Sequence, residues 1–135
     1  MIALDEIPPA FLAVPYVGSR VPGTKNPGDL AAGANCQLFA YQLLRHFGRT
    51  IPDFRSSELW ADESRTVRVD SFEPLDLMLY HEERKAWGAH VGLYLGEDRV
   101  IHLSKAVGRP AIWRHGDFAA QARYACFIGA KRLLS

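Results

Sequence analysis

His90-Val91-Gly92-Leu93-Tyr94-Leu95-Gly96-Glu97-Asp98-Arg99-Val100-Ile101-His102-Leu103 is the stretch on which the fold turns. Apolar and β-branched residues fill both arms, and Gly96-Glu97-Asp98 between them is turn chemistry, so the segment reads as two antiparallel strands, 90–95 and 99–103. The turn decides where the two histidines point. If Glu97 and Asp98 alone form the loop, Gly96 pairs with Arg99 and His102 faces away from His90. If Gly96 joins them in a three-residue loop, Leu95 pairs with Arg99 and Gly92 with His102. The histidines then share a face as diagonal neighbours, on the order of 7–8 Å apart at the backbone, within reach of an imidazole–imidazole hydrogen bond.

Outward from the hairpin, further strand-like runs occupy 75–80, 111–114 and 124–133, with a short helix at 118–121. The short linkers suit an antiparallel meander. Upstream, apolar positions 36, 39, 40, 43, 44 and 47 follow the helical period. Asn35 is a good N-cap, Gly48 a good stop, and Pro52 follows, which predicts a helix over 36–47. Residues 51–69 read as loops with a short helix near 57–63. The first 34 residues, rich in Pro and Gly, read as irregular chain wrapped on the domain. One helix leading into consecutive strands predicts an α+β fold: a helix carrying Cys36, packed on an antiparallel sheet of about five strands. The chain has no internal repeat or low-complexity tract, and at 135 residues it is near the commonest size for one domain, so 1–135 is expected to form one domain.

Composition narrows the function classes. The chain is 48% hydrophobic and 23% charged, with 16 Lys+Arg against 15 Asp+Glu. A net charge of +1 gives no electrostatic case for nucleic acid or an anionic membrane surface. The start of the chain carries Asp5 and Glu6, no basic residue before Arg20, and the interruptions Pro8, Pro9 and Pro15. That pattern is neither a secretory signal nor a membrane span. The expectation is a cytoplasmic protein as synthesised, delivered to the periplasm or a target cell, if it works there, by another route. The cysteines Cys36 and Cys126 could form one disulfide on count alone, but nothing in their spacing asks for it. The alternation of Tyr124, Cys126 and Ile128 makes Cys126 a buried strand residue.

Cys36 is the focus of the chemistry. In the first turn of a helix, backbone N–H groups lack partners and the dipole favours negative charge. A thiol there is expected to have a lowered pKa, and the free amides can receive an oxyanion. A free cysteine on a helix stripe can equally be a small core residue. His90 and His102 tip the balance: His90 would take the thiol proton, and His102 would orient His90. The same three residues are also a conceivable zinc set, without any local CxxC or HxxxH pair to support it. No cofactor or metal is expected. His46 at the helix end reads as structural, and His81 and His115 as solvated loop residues. Asp76 reads as the start of a strand. Of Trp60, Trp87 and Trp113, Trp87 is the best placed to line a substrate groove.

HVGLYLGEDRVIHLSKA, residues 90–106, resembles the core of the NlpC-type papain-like cell-wall cysteine peptidases, in which both histidines are catalytic at this spacing. Glu73-Pro74-Leu75-Asp76-Leu77-Met78 resembles the family's Pro-Gly-Asp-Leu strand entry, and Asn35-Cys36-Gln37-Leu38-Phe39-Ala40 its Asp-Cys-Ser-Gly-Leu-Val helix start. Pro15-Tyr16-Val17-Gly18 is similar to its Pro-Tyr-φ-Gly-Gly turn, and Phe127–Leu133 to its closing strand. The resemblance spans about 15–133. It implies a papain-like fold, Cys36, His90 and His102 as the catalytic set, and Tyr16 beside the oxyanion site. Three positions depart from the pattern: Asn35 for Asp, Gln37 for Ser, and Ser19 for the second turn glycine. The acid replaced by Asn35 helps hold the free amine of the substrate in family members that cut peptidoglycan. Asn35, Gln37 and Trp87 join Tyr16 as candidate oxyanion or substrate-binding residues.

The function these readings imply is a cysteine amide hydrolase. It would act on a peptide or murein-fragment substrate, as a peptidoglycan stem-peptide endopeptidase or amidase, through a Cys/His/His triad and an acyl-enzyme. The alternatives are an acyltransferase or protein deamidase using the same triad, and a non-enzymatic binding domain on the same scaffold.

Overall fold

A computed structural model describes residues 1–134; Ser135 lies outside the described residues. Helix α1 spans Pro9–Leu12, α2 spans Cys36–His46 and α3 spans Ser56–Ala61. The strands are β1 Thr66–Val69, β2 Leu77–His81, β3 His90–Gly96, β4 Arg99–Leu103, β5 Pro110–Arg114 and β6 Cys126–Leu133. They form one antiparallel sheet in the order β1-β6-β2-β3-β4-β5. None of the helices among the described residues is long and apolar enough to cross a membrane.

The α+β architecture is the expected one, with corrections. The sheet has six strands, because Thr66–Val69, read as loop, pairs with the last strand through Thr66↔Leu133 and Val69↔Ala130. The strand is short, and its partner lies at the other end of the chain, so no local hairpin announces it. Strands β2 to β5 run as the expected meander, but β6 returns to lie between β1 and β2. Strand β2 starts at Leu77 rather than Leu75, whose φ is +77°. The helical segment near 118 is longer than expected, a pair of 3-10 turns at His115–Ala120 and Ala122–Tyr124.

The sheet separates two apolar layers. On one face Leu77, Leu79, Val91, Leu93, Ile101 and Leu103 pack with the α2 residues Leu38, Phe39, Leu43 and Leu44. On the other, Met78, Tyr80, Val100 and Ala130 pack with Phe118 and Tyr124. Asp76, almost wholly buried, does more than start a strand. It accepts the Glu73 N–H (2.8 Å) and two bonds from the Arg132 guanidinium (2.9 Å each), tying the entry of β2 to the end of β6.

The hairpin resolves the question of the histidine faces by a route between the two considered. Glu97 and Asp98 form a two-residue turn with φ of +52° and +63°, and Gly96 pairs with Arg99. Yet Tyr94 pairs with Val100 and Leu93 with Ile101, so Leu95 is an extra, bulged residue. The bulge shifts the register by one and sets His102 beside Gly92. The freed Leu95 carbonyl accepts the Ile2 N–H at 2.7 Å, which pins the start of the chain to the hairpin.

Gly92 has no room for a side chain. A Cβ there would lie 2.6 Å from Val100 Cγ1 and 3.4 Å from His102 Cβ. Gly92→Ala is therefore expected to destabilise the fold by about 1–3 kcal/mol through overpacking. Urea denaturation should show a lower midpoint at unchanged slope; an unchanged midpoint would contradict this register.

Candidate active site

Cys36 is the first residue of α2. Asn35 precedes it in extended conformation, and its side-chain oxygen accepts the Leu38 N–H at 2.8 Å, an N-cap worth about 1 kcal/mol. The helix ends one residue earlier than expected, at His46, with Gly48 at φ +81° just beyond. Tyr16, twenty residues upstream of Cys36, reaches the same place by a parallel bridge to Ala34. The bridge consists of Val17 N–H to the Ala34 carbonyl (2.9 Å) and Ala34 N–H to the Pro15 carbonyl (3.1 Å). The intervening residues loop out, held by Arg20, whose guanidinium donates to the carbonyls of Lys25 and Asn26 (2.8 Å each) and Gly33 (3.0 Å). Gly33, at φ +90°, lets the two segments cross: a Cβ there would lie 2.8 Å from the Pro15 carbonyl oxygen.

His90 opens β3 and shares a sheet face with Tyr80, its cross-strand partner. His102 lies on the same face one strand further on. The rings meet edge-on, with His90 Nε2 2.9 Å from His102 Nδ1. Both are buried, His102 completely. Tyr124 stacks on His90 at 4.4 Å and 25°. Val91, the next residue of β3, points into the α2 layer, and its backbone N–H reaches the Cys36 sulfur. The thiol thus approaches from one face of the sheet and the imidazole pair from the other, meeting at the start of β3.

A cleft of about 470 Å³ opens there, and Tyr16, Cys36 and His90 line it together with Tyr80, Tyr124 and Ala89. His81, Glu82, Lys105 and Arg123 also line it, and all but half-buried His81 are exposed. Two expected cleft residues face elsewhere. Trp87 is 71% exposed and outside the cleft lining, with the Lys85 ammonium 5.9 Å from its ring. The Gln37 amide donates to the Phe54 carbonyl at 3.0 Å, holding α2 to the following loop. Asn35 is buried, and its oxygen serves the cap. Sequence reasoning missed Tyr124, Lys105 and Arg123. Only the stacked position of Tyr124 marks it, and nothing local in the sequence signals a contact 34 residues from His90.

Other readings change as well. His81 is the last residue of β2 and faces the cleft. His115 is half-buried, accepting or donating at Nδ1 to the Tyr80 hydroxyl (2.8 Å) and packed on Phe127. Cys126 is half-buried rather than buried, with its thiol 3.6 Å from the Glu82 carbonyl. Both cysteines are free. Among the described residues, no group of three or more His, Cys, Asp or Glu side chains is arranged to hold a metal ion.

The electrostatics reverse one expectation. Burial pushes the Cys36 thiol up, although the amides of Val91, Gln37 and Cys36 itself pull the other way. Burial, and then His102, push His90 well below its ordinary value, and burial brings His102 down to about 4. Burial thus favours the neutral thiol and the two neutral imidazoles. Burial, followed by the nearness of Cys36 and Tyr124, raises the Tyr16 hydroxyl, which stays a proton donor at neutral pH.

The model of the NlpC/P60 family matches residues 21–118. The chain is 30% identical over 96 residues to the gamma-D-glutamyl-L-lysine dipeptidyl-peptidase of Bacillus subtilis (strain 168), a match that spans 70% of this chain and 29% of that protein. Among solved structures, it is similar to an NlpC/P60 family protein of Bacillus cereus ATCC 10987. The TM-score is 0.68 at 23% identity, over 93% of this chain and 37% of the other. It is also similar to the peptidoglycan hydrolase RipB of Mycobacterium tuberculosis, with a TM-score of 0.56 at 23% identity, over 89% and 57% of the two chains. The family match covers most of the chain and includes the Cys36 helix start and the two-histidine hairpin, so this chain belongs to the NlpC/P60 family.

Proposed function

We propose that this chain is a cysteine amide hydrolase acting on peptidoglycan stem peptides. The observation that carries the proposal is the opening of Cys36, at a helix N-terminus, and His90, hydrogen-bonded to His102 at 2.9 Å, into one cleft. The Cys36 sulfur attacks the scissile carbonyl carbon as its proton passes to the bare Nδ1 of His90. The carbonyl electrons move to oxygen, which the Cys36 N–H and the Tyr16 hydroxyl stabilise. On collapse the C–N bond breaks, His90 returns the proton to the leaving amine, and a thioester remains on Cys36. A water molecule, deprotonated by His90, then cleaves the thioester and restores the thiol. His102 accepts from His90 Nε2–H throughout and supports the imidazolium.

The substrate class is supported by the family and by its similarity to a dipeptidyl-peptidase and a peptidoglycan hydrolase. A second reading, acyl transfer to an amine or deamidation, is favoured by Asn35, whose uncharged side chain is committed to the helix cap. Product analysis with an added acceptor amine separates the two.

Purified muropeptides incubated with the protein are expected to yield new fragments by mass spectrometry, and Cys36→Ala is expected to yield none while keeping the fold. Absence of new fragments with the unaltered protein contradicts the cell-wall reading.

The direction of the two shifts also predicts a pH dependence. His90 titrates below the ordinary 6.5, so it remains a competent base down to that pH and is lost only beneath it. The thiol titrates above the ordinary 9.0. Iodoacetamide alkylation of Cys36, followed in a Cys126→Ser background, is expected to rise with pH through an inflection above 9. A rate already at its plateau at neutral pH would indicate a thiolate–imidazolium pair instead.

A further inference from the structure

His102 Nε2 is a buried polar atom without a hydrogen-bond partner among the described residues, in a side chain wholly screened from solvent. Three aromatic rings pack on the imidazole, whose Nδ1 is taken by His90. Trp113 lies 4.3 Å away at 67°, Phe118 4.7 Å at 58°, and Tyr124 6.3 Å at 82°. Trp113 is placed by the sheet itself: His102 pairs with Ala111, and Trp113 follows two residues on, on the same face.

The two tautomers of a neutral imidazole are not equivalent in such a box. An aromatic face carries negative charge density, so it attracts an N–H and repels a nitrogen lone pair. The Nε2–H form therefore fits, and the form with a bare Nε2 leaves a lone pair buried against the rings. Burial keeps His102 neutral at neutral pH, so only one nitrogen carries hydrogen. With hydrogen on Nε2, Nδ1 is an acceptor. Its partner at 2.9 Å, His90 Nε2, then has to donate. His90 thereby holds its single hydrogen on Nε2 and leaves Nδ1 bare. The opposite assignment puts hydrogen on His90 Nδ1, which can no longer receive a proton from the thiol.

We infer that Trp113, backed by Phe118, is a positioning residue that selects the tautomer of the His102–His90 pair and so keeps His90 Nδ1 free to act as base. The inference rests on the proposed role of His90. Its primary test does not require activity, so the two can fail separately.

The test is long-range proton–nitrogen NMR of the imidazoles in the ¹⁵N-labelled protein near pH 7. In the unaltered protein, His102 is expected to show protonated Nε2 and bare Nδ1, and His90 the same pattern. Trp113→Leu is expected to mix the two tautomers, and Trp113→Phe, which restores an aromatic face, to return them to one. On a peptide substrate, Trp113→Leu should lower kcat about tenfold with KM within about twofold, a part of the 10²–10⁴-fold that general acid–base chemistry supplies. A protonated His102 Nδ1 in the unaltered protein overturns the inference even if the Leu variant does not fold. So does a folded Trp113→Leu protein with unchanged tautomers, whatever its kcat.

Discussion

Leu95 is the residue on which the position of His102 depends. A two-residue turn at Glu97-Asp98, taken alone, pairs Gly96 with Arg99 and sends His102 to the face that packs on α2. The bulge adds one residue to β3, and because side chains alternate with period two, it moves every later residue of β4 to the opposite face. His102 then comes beside Gly92, where the absence of a Cβ leaves space for it, and within 2.9 Å of His90. The bulge is itself held: the Leu95 carbonyl accepts from Ile2, and Arg99 Nη2 donates to the Ile2 carbonyl at 2.6 Å. The irregular start of the chain thus braces the geometry of a site at the other end of the hairpin.

The same burial that makes this geometry rigid sets its charge state. A helix N-terminus favours a thiolate, and the amides at Cys36 act in that sense. Desolvation opposes them and prevails, because the sulfur sits under β3 and the imidazoles sit among Tyr124, Phe118 and Trp113. Charge separation between Cys36 and His90 is thereby disfavoured in the resting protein. On the proposed reading, it becomes favourable only when a carbonyl enters the cleft and its oxygen takes up the developing charge beside an amide and a protonated tyrosine.

What could be read from the sequence follows how local each determinant is. Helix α2 was legible because its cap, period and stop all lie within fourteen residues, Asn35 to Gly48. The shared face of the two histidines was legible as one of two outcomes of a short turn, though not the bulge that produces it. Strand β1 escaped notice because its partner is β6. The aromatic box escaped too: Phe118 and Tyr124 come from 3-10 turns that nothing in the pattern links to β3. At the thiol, burial opposes the helix end, and of the two only the helix end is local in the sequence. Tyr16 lies twenty residues from Cys36 in the sequence, and the bridge to Ala34 is what makes that distance immaterial.

Asn35 shows how one position can keep one task and lose another. A carboxylate at an N-cap can accept from the helix and still present negative charge to a substrate amine. The amide of Asn35 gives its oxygen to Leu38, and what remains is an NH₂ group, which cannot accept from an ammonium. Gln37, on the other side of Cys36, is likewise turned to the Phe54 carbonyl. Neither neighbour of Cys36 has a charge to offer. The charges that do border the cleft are Glu82, Lys105 and Arg123, with His81 fixed by the Glu83 N–H at its Nδ1, which leaves its hydrogen on Nε2. All four sit on or beside the segments that join strands, not on α2. On the proposed reading, α2 and the β3–β4 hairpin therefore supply reactivity towards an amide, and discrimination between amides falls to the connections around 82–89, 104–109 and 115–125.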